Sequence, residues 1–88
     1  MSDTLFEAAV KFISNGTGFT ATDEDKLSFY KYFKQATIGD CNIAKPGFFQ
    51  LQQKYKWEAW DSVRGMAQEA AKAAYVALLD KLCPSWRN

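Results

Sequence analysis

The 88-residue sequence contains no histidine. Serine–histidine and cysteine–histidine nucleophiles and histidine-ligated metals are therefore excluded together. Cysteine is scarce as well. Cys41 and Cys83 cannot by themselves hold zinc or an iron–sulfur cluster. No apolar run approaches the roughly 20 residues that a membrane-spanning helix needs, and Met1-Ser2-Asp3-Thr4 opens the chain without the apolar segment of a secretory signal. Without a secretory context, two free thiols are expected rather than a disulfide. The net charge is only +1, so no field over the whole domain recruits nucleic acid. Any anion site has to be local. Asn15-Gly16-Thr17-Gly18 lacks the spacing of a Walker or Rossmann loop. Catalysis by carboxylates stays formally open, but no particular pair stands out. The expectation is one soluble cytoplasmic domain over residues 1–88, with no metal, cofactor or nucleic-acid partner.

Apolar residues make up 48% and charged residues 24%, the balance of a globular chain. Their periodicity is helical. Phe6, Ala9, Val10 and Ile13 predict a first helix over about residues 3–14. Thr4 and Glu7 stand as a capping box, with Ser2 or Asp3 as alternative caps, and Asn15-Gly16 is the stop. Residues 15–20 read as a loop. Thr22 and Asp25 supply a second capping box, and acids fill the first turn of a helix over Asp23 to Thr37, ended by Gly39. Gly39 to Gly47 is a connection, because Lys45-Pro46-Gly47 cannot continue a helix. Its length exceeds the usual link between helices, and long loops are more often functional. A third helix is expected over about Phe49 to Arg64, with Trp57, Trp60 and Val63 inward and Gly65 after its end. The fourth covers about Ala67 to Leu82, stopped by Pro84. With no strand pattern, the fold class is all-α: a single-domain four-helix bundle.

Two stretches carry chemistry. In Phe29-Tyr-Lys-Tyr-Phe-Lys34, Tyr30 and Lys34 lie four apart on one helical face, a phenol beside an ammonium. That pair suits an organic phosphate; an amphipathic helix with solvated lysines is the plainer alternative. In Lys54-Tyr-Lys-Trp-Glu-Ala-Trp60, Lys56 and Trp60 share a face, and both tryptophans need a partner for their N–H. Trp57 and Trp60 either pack in the core or line a ligand. Tyr75, in an alanine-rich helix, either covers the bundle rim or meets a ligand.

Tyr30-Lys-x-x-Lys34-Gln-Ala-Thr-Ile-Gly-Asp-x-Asn42 closely resembles the signature of the acyl-CoA-binding protein family. Lys56-Trp-Glu-Ala-Trp60 resembles its second hallmark and Phe6-Glu-Ala-Ala-Val10 its N-terminal one, while Lys45-Pro46-Gly47 and Ala74-Tyr75 also fall in its pattern. The resemblance runs from Phe6 to about Leu82. It implies an up-down-down-up bundle that binds long-chain fatty acyl-CoA in the cytoplasm as a monomer, without catalysis or stable membrane insertion. It further implies that Tyr30, Lys34 and Lys56 hold the ribose 3′-phosphate. Ala9 would lie against the adenine, helped by Tyr32 or Phe33, and Tyr75 would complete the nucleotide site. The acyl chain would be bordered by the second connection and the start of the third helix. Several positions depart from the family's usual pattern: Ser14 where a cation is common, Gln52-Gln53 in place of Lys-Gly, Phe33 in place of tyrosine, Ala67 in place of a Ser or Thr cap, and the tail Cys83-Pro-Ser-Trp-Arg-Asn88.

Overall fold

The structure, a computed structural model, describes residues 2–16 and 19–87. It consists of α1 (Ser2–Ser14), α2 (Asp23–Thr37), α3 (Leu51–Asp61) and α4 (Gln68–Leu82). No strand occurs among the described residues. None of these helices is long and apolar enough to cross a membrane.

Two boundaries follow the expected chemistry closely. At α2, Thr22 Oγ1 accepts from the Asp25 N–H at 3.0 Å, and Asp25 Oδ2 accepts from the Thr22 N–H at 3.1 Å. The capping box is therefore reciprocal. After Thr37 the Ile38 and Gly39 N–H groups both turn back to the Lys34 carbonyl, with Gly39 at φ +104°, a conformation that favours glycine. The α1 start differs from expectation. The helix already includes Ser2, so Thr4 lies inside it and is not its cap. Ser2 and Asp3 also lie within the helix, and the residue before Ser2 is outside the described residues.

The third helix is shorter than expected at both ends. It begins after Gln50, leaving Phe49 86% exposed, and it stops at Asp61. Beyond Asp61 the chain tightens into turns, with Val63 N–H on the Trp60 carbonyl and Arg64 N–H on the Asp61 carbonyl. The reason is tertiary. Arg64 Nη2 donates to the Cys41 carbonyl at 3.1 Å, and the Gly65 N–H donates to Asp40 Oδ1 at 2.7 Å. Both bonds draw this segment onto the α2–α3 connection, which a continued helix would not reach.

Contacts along the helices define their directions. Trp60, near the end of α3, donates to the Gly39 carbonyl just past α2, while Gln52 and Tyr55 near the start of α3 face Asp23 and Lys26 at the start of α2. These two helices are parallel, so the connection from Ile38 to Gln50 must run back along the molecule. Gln68 at the start of α4 donates to the Ala36 carbonyl near the end of α2, making that pair antiparallel. Phe6 meets Tyr75 at 5.1 Å and Phe12 meets Trp86 at 5.8 Å, so α1 runs with α4. The result is the up-down-down-up four-helix bundle. Central α2 packs on both α3 and α4, and α1 packs on α4.

Ala9 and Ala71 have no exposed surface where α1 and α4 approach, and Phe6, Phe29, Tyr75 and Leu79 fill the main core around them. Trp60, Val63 and Cys41 form a second core under α2 and α3. Trp57 departs from the inward stripe: it is only half-buried. Both cysteines are free thiols. The C-terminal Trp86 has a structural role. Its indole N–H donates to Asp80 Oδ1 at 2.7 Å, and Arg87 pairs with the same carboxylate, so the tail after Pro84 is laid against Phe12 of α1.

Ala67 occupies the N-cap of α4 in an extended conformation but offers no side-chain acceptor. Ala67→Ser is expected to stabilise the protein by about 1 kcal/mol. An unchanged urea midpoint would mean that the α4 N–H groups already have an equivalent partner.

Candidate ligand-binding site

Two depressions adjoin along α2. The larger, about 690 Å³, has α2 side chains Lys26, Phe29, Tyr30 and Phe33 on one side. Ile13 and the segment after α1, including Phe19 and Ala21, form the other, and Tyr75 of α4 contributes from below. The smaller, about 430 Å³, lies between Asp23, Lys26, Leu27 and Tyr30 of α2 and Gln52, Tyr55 and Lys56 of α3. Lys26 and Tyr30 belong to both and form the ridge between them.

At that ridge two lysines from different helices converge. Lys34 Nζ lies 5.8 Å from the Tyr30 ring centroid, and Lys56 Nζ lies 5.6 Å from the same centroid. Lys34 also stands 5.4 Å from the Trp60 ring. Each contact falls within cation–π range. Neither ammonium has a carboxylate within ion-pair distance among the described residues. Two half-buried cations without acidic partners among the described residues, beside a phenol, have the chemistry to receive a compact anion.

The two phenols are held neutral. Burial pushes the Tyr75 hydroxyl up to about 12. Tyr30 is also raised, first by burial and then by the neighbouring Cys41. At neutral pH both are hydrogen-bond donors, and burial extends that state to higher pH.

Not every expected residue meets this site. Phe33 lines the larger depression, whereas Tyr32 packs between the two cores and does not line it. Ala9 is fully enclosed at the α1–α4 contact, so its methyl group touches core atoms and no surface. The tryptophan N–H groups are spent on the α2–α3 connection: Trp57 donates to the Ile43 carbonyl and Trp60 to the Gly39 carbonyl, each at 2.8 Å. Their polar tips position the chain beside the site.

Sequence reasoning overlooked Lys26, Leu27, Tyr55 and the wall formed by Phe19. Lys26 carried a usable signal, because 26, 30 and 34 form one continuous i, i+4 stripe. Phe19 offered a weaker signal, an aromatic residue within a turn-rich segment. The segment from Ile43 to Leu51 carries uncovered apolar surface: Ile43, Phe48, Phe49 and Leu51 are all more than half exposed. Among the described residues no cluster of metal-ligating side chains occurs.

Asp40 stabilises this end of the site. Its Oδ1 accepts from the Gly65 N–H and from Gln35 Nε2 at 2.9 Å, and Gln35 also donates to the Met66 carbonyl at 2.8 Å. The Gly65 N–H, followed by the Gln35 amide, holds the carboxyl below its ordinary range. The stabilisation is present above the unfolded carboxyl pKa of about 3.9 and is lost as pH falls through the lower folded value. The stability difference between the parent and Asp40→Ala is therefore expected to shrink below about pH 4. Urea unfolding at stepped pH measures it, and a difference that stays constant down to acid would contradict this role.

The family model described as "Acyl CoA binding protein" matches residues 3–79. The acyl-CoA-binding protein of Saccharomyces cerevisiae is 43% identical over 88 residues, covering 100% of both chains. Acyl-CoA-binding domain-containing protein 5 of Gallus gallus is 46% identical over 93% of this chain, but the match spans only 17% of that longer protein. The solution structure of acyl CoA binding protein from Babesia bovis superimposes with a TM-score of 0.87, at 65% identity and with 100% of both chains covered. On the family model, the full-length match and the shared fold, the chain belongs to the acyl-CoA-binding protein family.

Proposed function

We propose that this chain binds long-chain fatty acyl-CoA thioesters, sequesters them in the cytoplasm and carries them without chemical change. The observation that supports this most is the meeting of Lys34 and Lys56, from separate helices, on the single Tyr30 ring. In this reading the two ammonium groups and the Tyr30 hydroxyl hold the ribose 3′-phosphate. The larger depression receives the adenine against Phe33, with Tyr75 contributing from its floor. Tyr32 and Ala9 support that wall from behind, by packing. The acyl arm follows the α2–α3 groove past Leu27 and Tyr55 towards exposed Leu51 and Phe49.

Burying a chain contributes about 0.8 kcal/mol per methylene, partly offset by the cost of ordering ligand and side chains. Chain length then tunes affinity, while the cationic cluster selects CoA esters over free fatty acids. No cofactor or metal is required. The names of the family and its relatives point the same way.

Calorimetry with palmitoyl-CoA, palmitate and free CoA tests the proposal. Palmitoyl-CoA is expected to bind tightly and the other two much more weakly. Absence of binding at micromolar palmitoyl-CoA would overturn the reading. Thioester hydrolysis by the pure protein would remove its carrier clause.

A further inference from the structure

Lys26 lines both depressions, a property it shares among the described residues with Tyr30 alone. It stands four residues before Tyr30, as Lys34 stands four after, so the three form one stripe along α2. Neighbours in that stripe are separated by about 6 Å along the helix axis. Lys34 and Lys56 gather at Tyr30, and Lys26 lies one turn away, towards the start of the helix. A ligand occupying both depressions has to cross the ridge that Lys26 and Tyr30 form.

The acids nearby do not neutralise it. Asp25 is engaged in the capping box, and neither Asp23 nor Glu24 comes within ion-pair distance of the Lys26 ammonium. Asp23 also lines the smaller depression, whereas Lys26 is the one charged side chain among the described residues that line the larger. The ridge is therefore the favoured place for a second negative group. The methylene stem of Lys26 can at the same time cover apolar wall.

We infer that Lys26 is a separate anion-binding point, which makes the site selective for ligands with two spaced anionic groups. The phosphomonoester sits at Lys34 and Lys56, and a diphosphate sits at Lys26. Resting on the acyl-CoA reading, this assigns to Lys26 the diphosphate that joins the nucleotide to the pantetheine arm.

Calorimetry of Lys26→Met against three ligands tests the assignment: palmitoyl-CoA, its form lacking the 3′-phosphate, and palmitoyl-pantetheine, which lacks both anionic groups. The variant is expected to lose about tenfold in affinity, equivalent to about 1.4 kcal/mol, for each of the first two and nothing for the third. Lys34→Ala should instead weaken palmitoyl-CoA far more than the form without the 3′-phosphate. The exposed position of Lys26 keeps the fold out of the comparison, which an unchanged urea midpoint verifies. Equal binding of palmitoyl-CoA by Lys26→Met and parent would overturn the assignment and leave the carrier reading intact. A matching loss for palmitoyl-pantetheine would overturn it too, by showing that Lys26 acts through the groove wall. If the parent fails to bind palmitoyl-CoA at all, both fall.

Discussion

Lys34→Ala and Lys56→Ala are each expected to weaken palmitoyl-CoA binding by about ten- to a hundredfold, because charge-assisted hydrogen bonds contribute roughly 1.5–3 kcal/mol. The lower end applies if solvent screens the half-buried ammonium groups, and raising salt should then shrink the loss further. Both lysines approach the same Tyr30 ring and would serve one phosphate, so their effects should not add. With the first cation gone, the second holds a less well-fixed anion, and the double variant should lose less than the product of the single losses. Neither lysine has a described acidic partner whose charge would be left unpaired. Unfolding midpoints should therefore stay close to the parent value, separating binding from stability. Calorimetry of the two single variants and the double variant at two salt concentrations measures all three terms. Parent-like affinity in both single variants would place the anion site elsewhere.

The second large effect concerns stability. Trp60 is 1% exposed and is the largest side chain of the smaller core. Trp60→Ala is expected to cost about 3–5 kcal/mol, through lost burial and the cavity left behind. For a domain whose total stability is typically about 5–15 kcal/mol, that approaches unfolding. The indole also supplies the N–H that meets the Gly39 carbonyl at 2.8 Å. Trp60→Phe keeps much of the volume but leaves that carbonyl without this donor, at a cost of about 1–3 kcal/mol if water does not replace it. Urea unfolding of both variants should rank parent, phenylalanine and alanine in that order. A loss below about 1 kcal/mol for Trp60→Ala would show that the α3 core tolerates collapse. Ligand affinity should fall as well, because Trp60 packs beside Lys34 and fixes the end of α2 against α3.

These expectations draw on different sources. The four helices were legible because period and punctuation agreed: Thr22 with Asp25 starts α2, Gly39 follows its end, and Pro84 follows α4. Local propensity and capping act within a few residues, so sequence displays them directly. The same logic overextended α3, because its ends are decided by partners far along the chain. Arg64 and Gly65 leave the helix to meet Cys41 and Asp40, more than twenty residues earlier. No helical periodicity encodes that competition.

The candidate site divides in the same way. Tyr30, Lys34 and Lys56 were visible as chemistry on helical faces, and the family signature drew them together. Their actual approach to one ring depends on α2 and α3 running parallel and on the Trp60–Gly39 tether. Where Tyr32 and Phe33 lie likewise depended on packing, since adjacent residues on a helix differ by about 100° in direction. Of the two, Phe33 lines the larger depression and Tyr32 does not. Ala9 was marked by its small size, but small size also suits a close helix contact, and the fold used it for that.

Sequence alone therefore determined the all-α class, the approximate extent of the helices and which side chains bring ammonium and phenol groups to the helix faces. These are properties of short-range backbone preference and of side-chain type. Tertiary structure decided which chemistry-bearing groups share a surface, where α3 ends and that Lys26 stands on the ridge between two depressions. Those outcomes arise from burial and hydrogen bonding between segments distant in the chain, whose energies depend on how the helices are oriented and no local pattern contains.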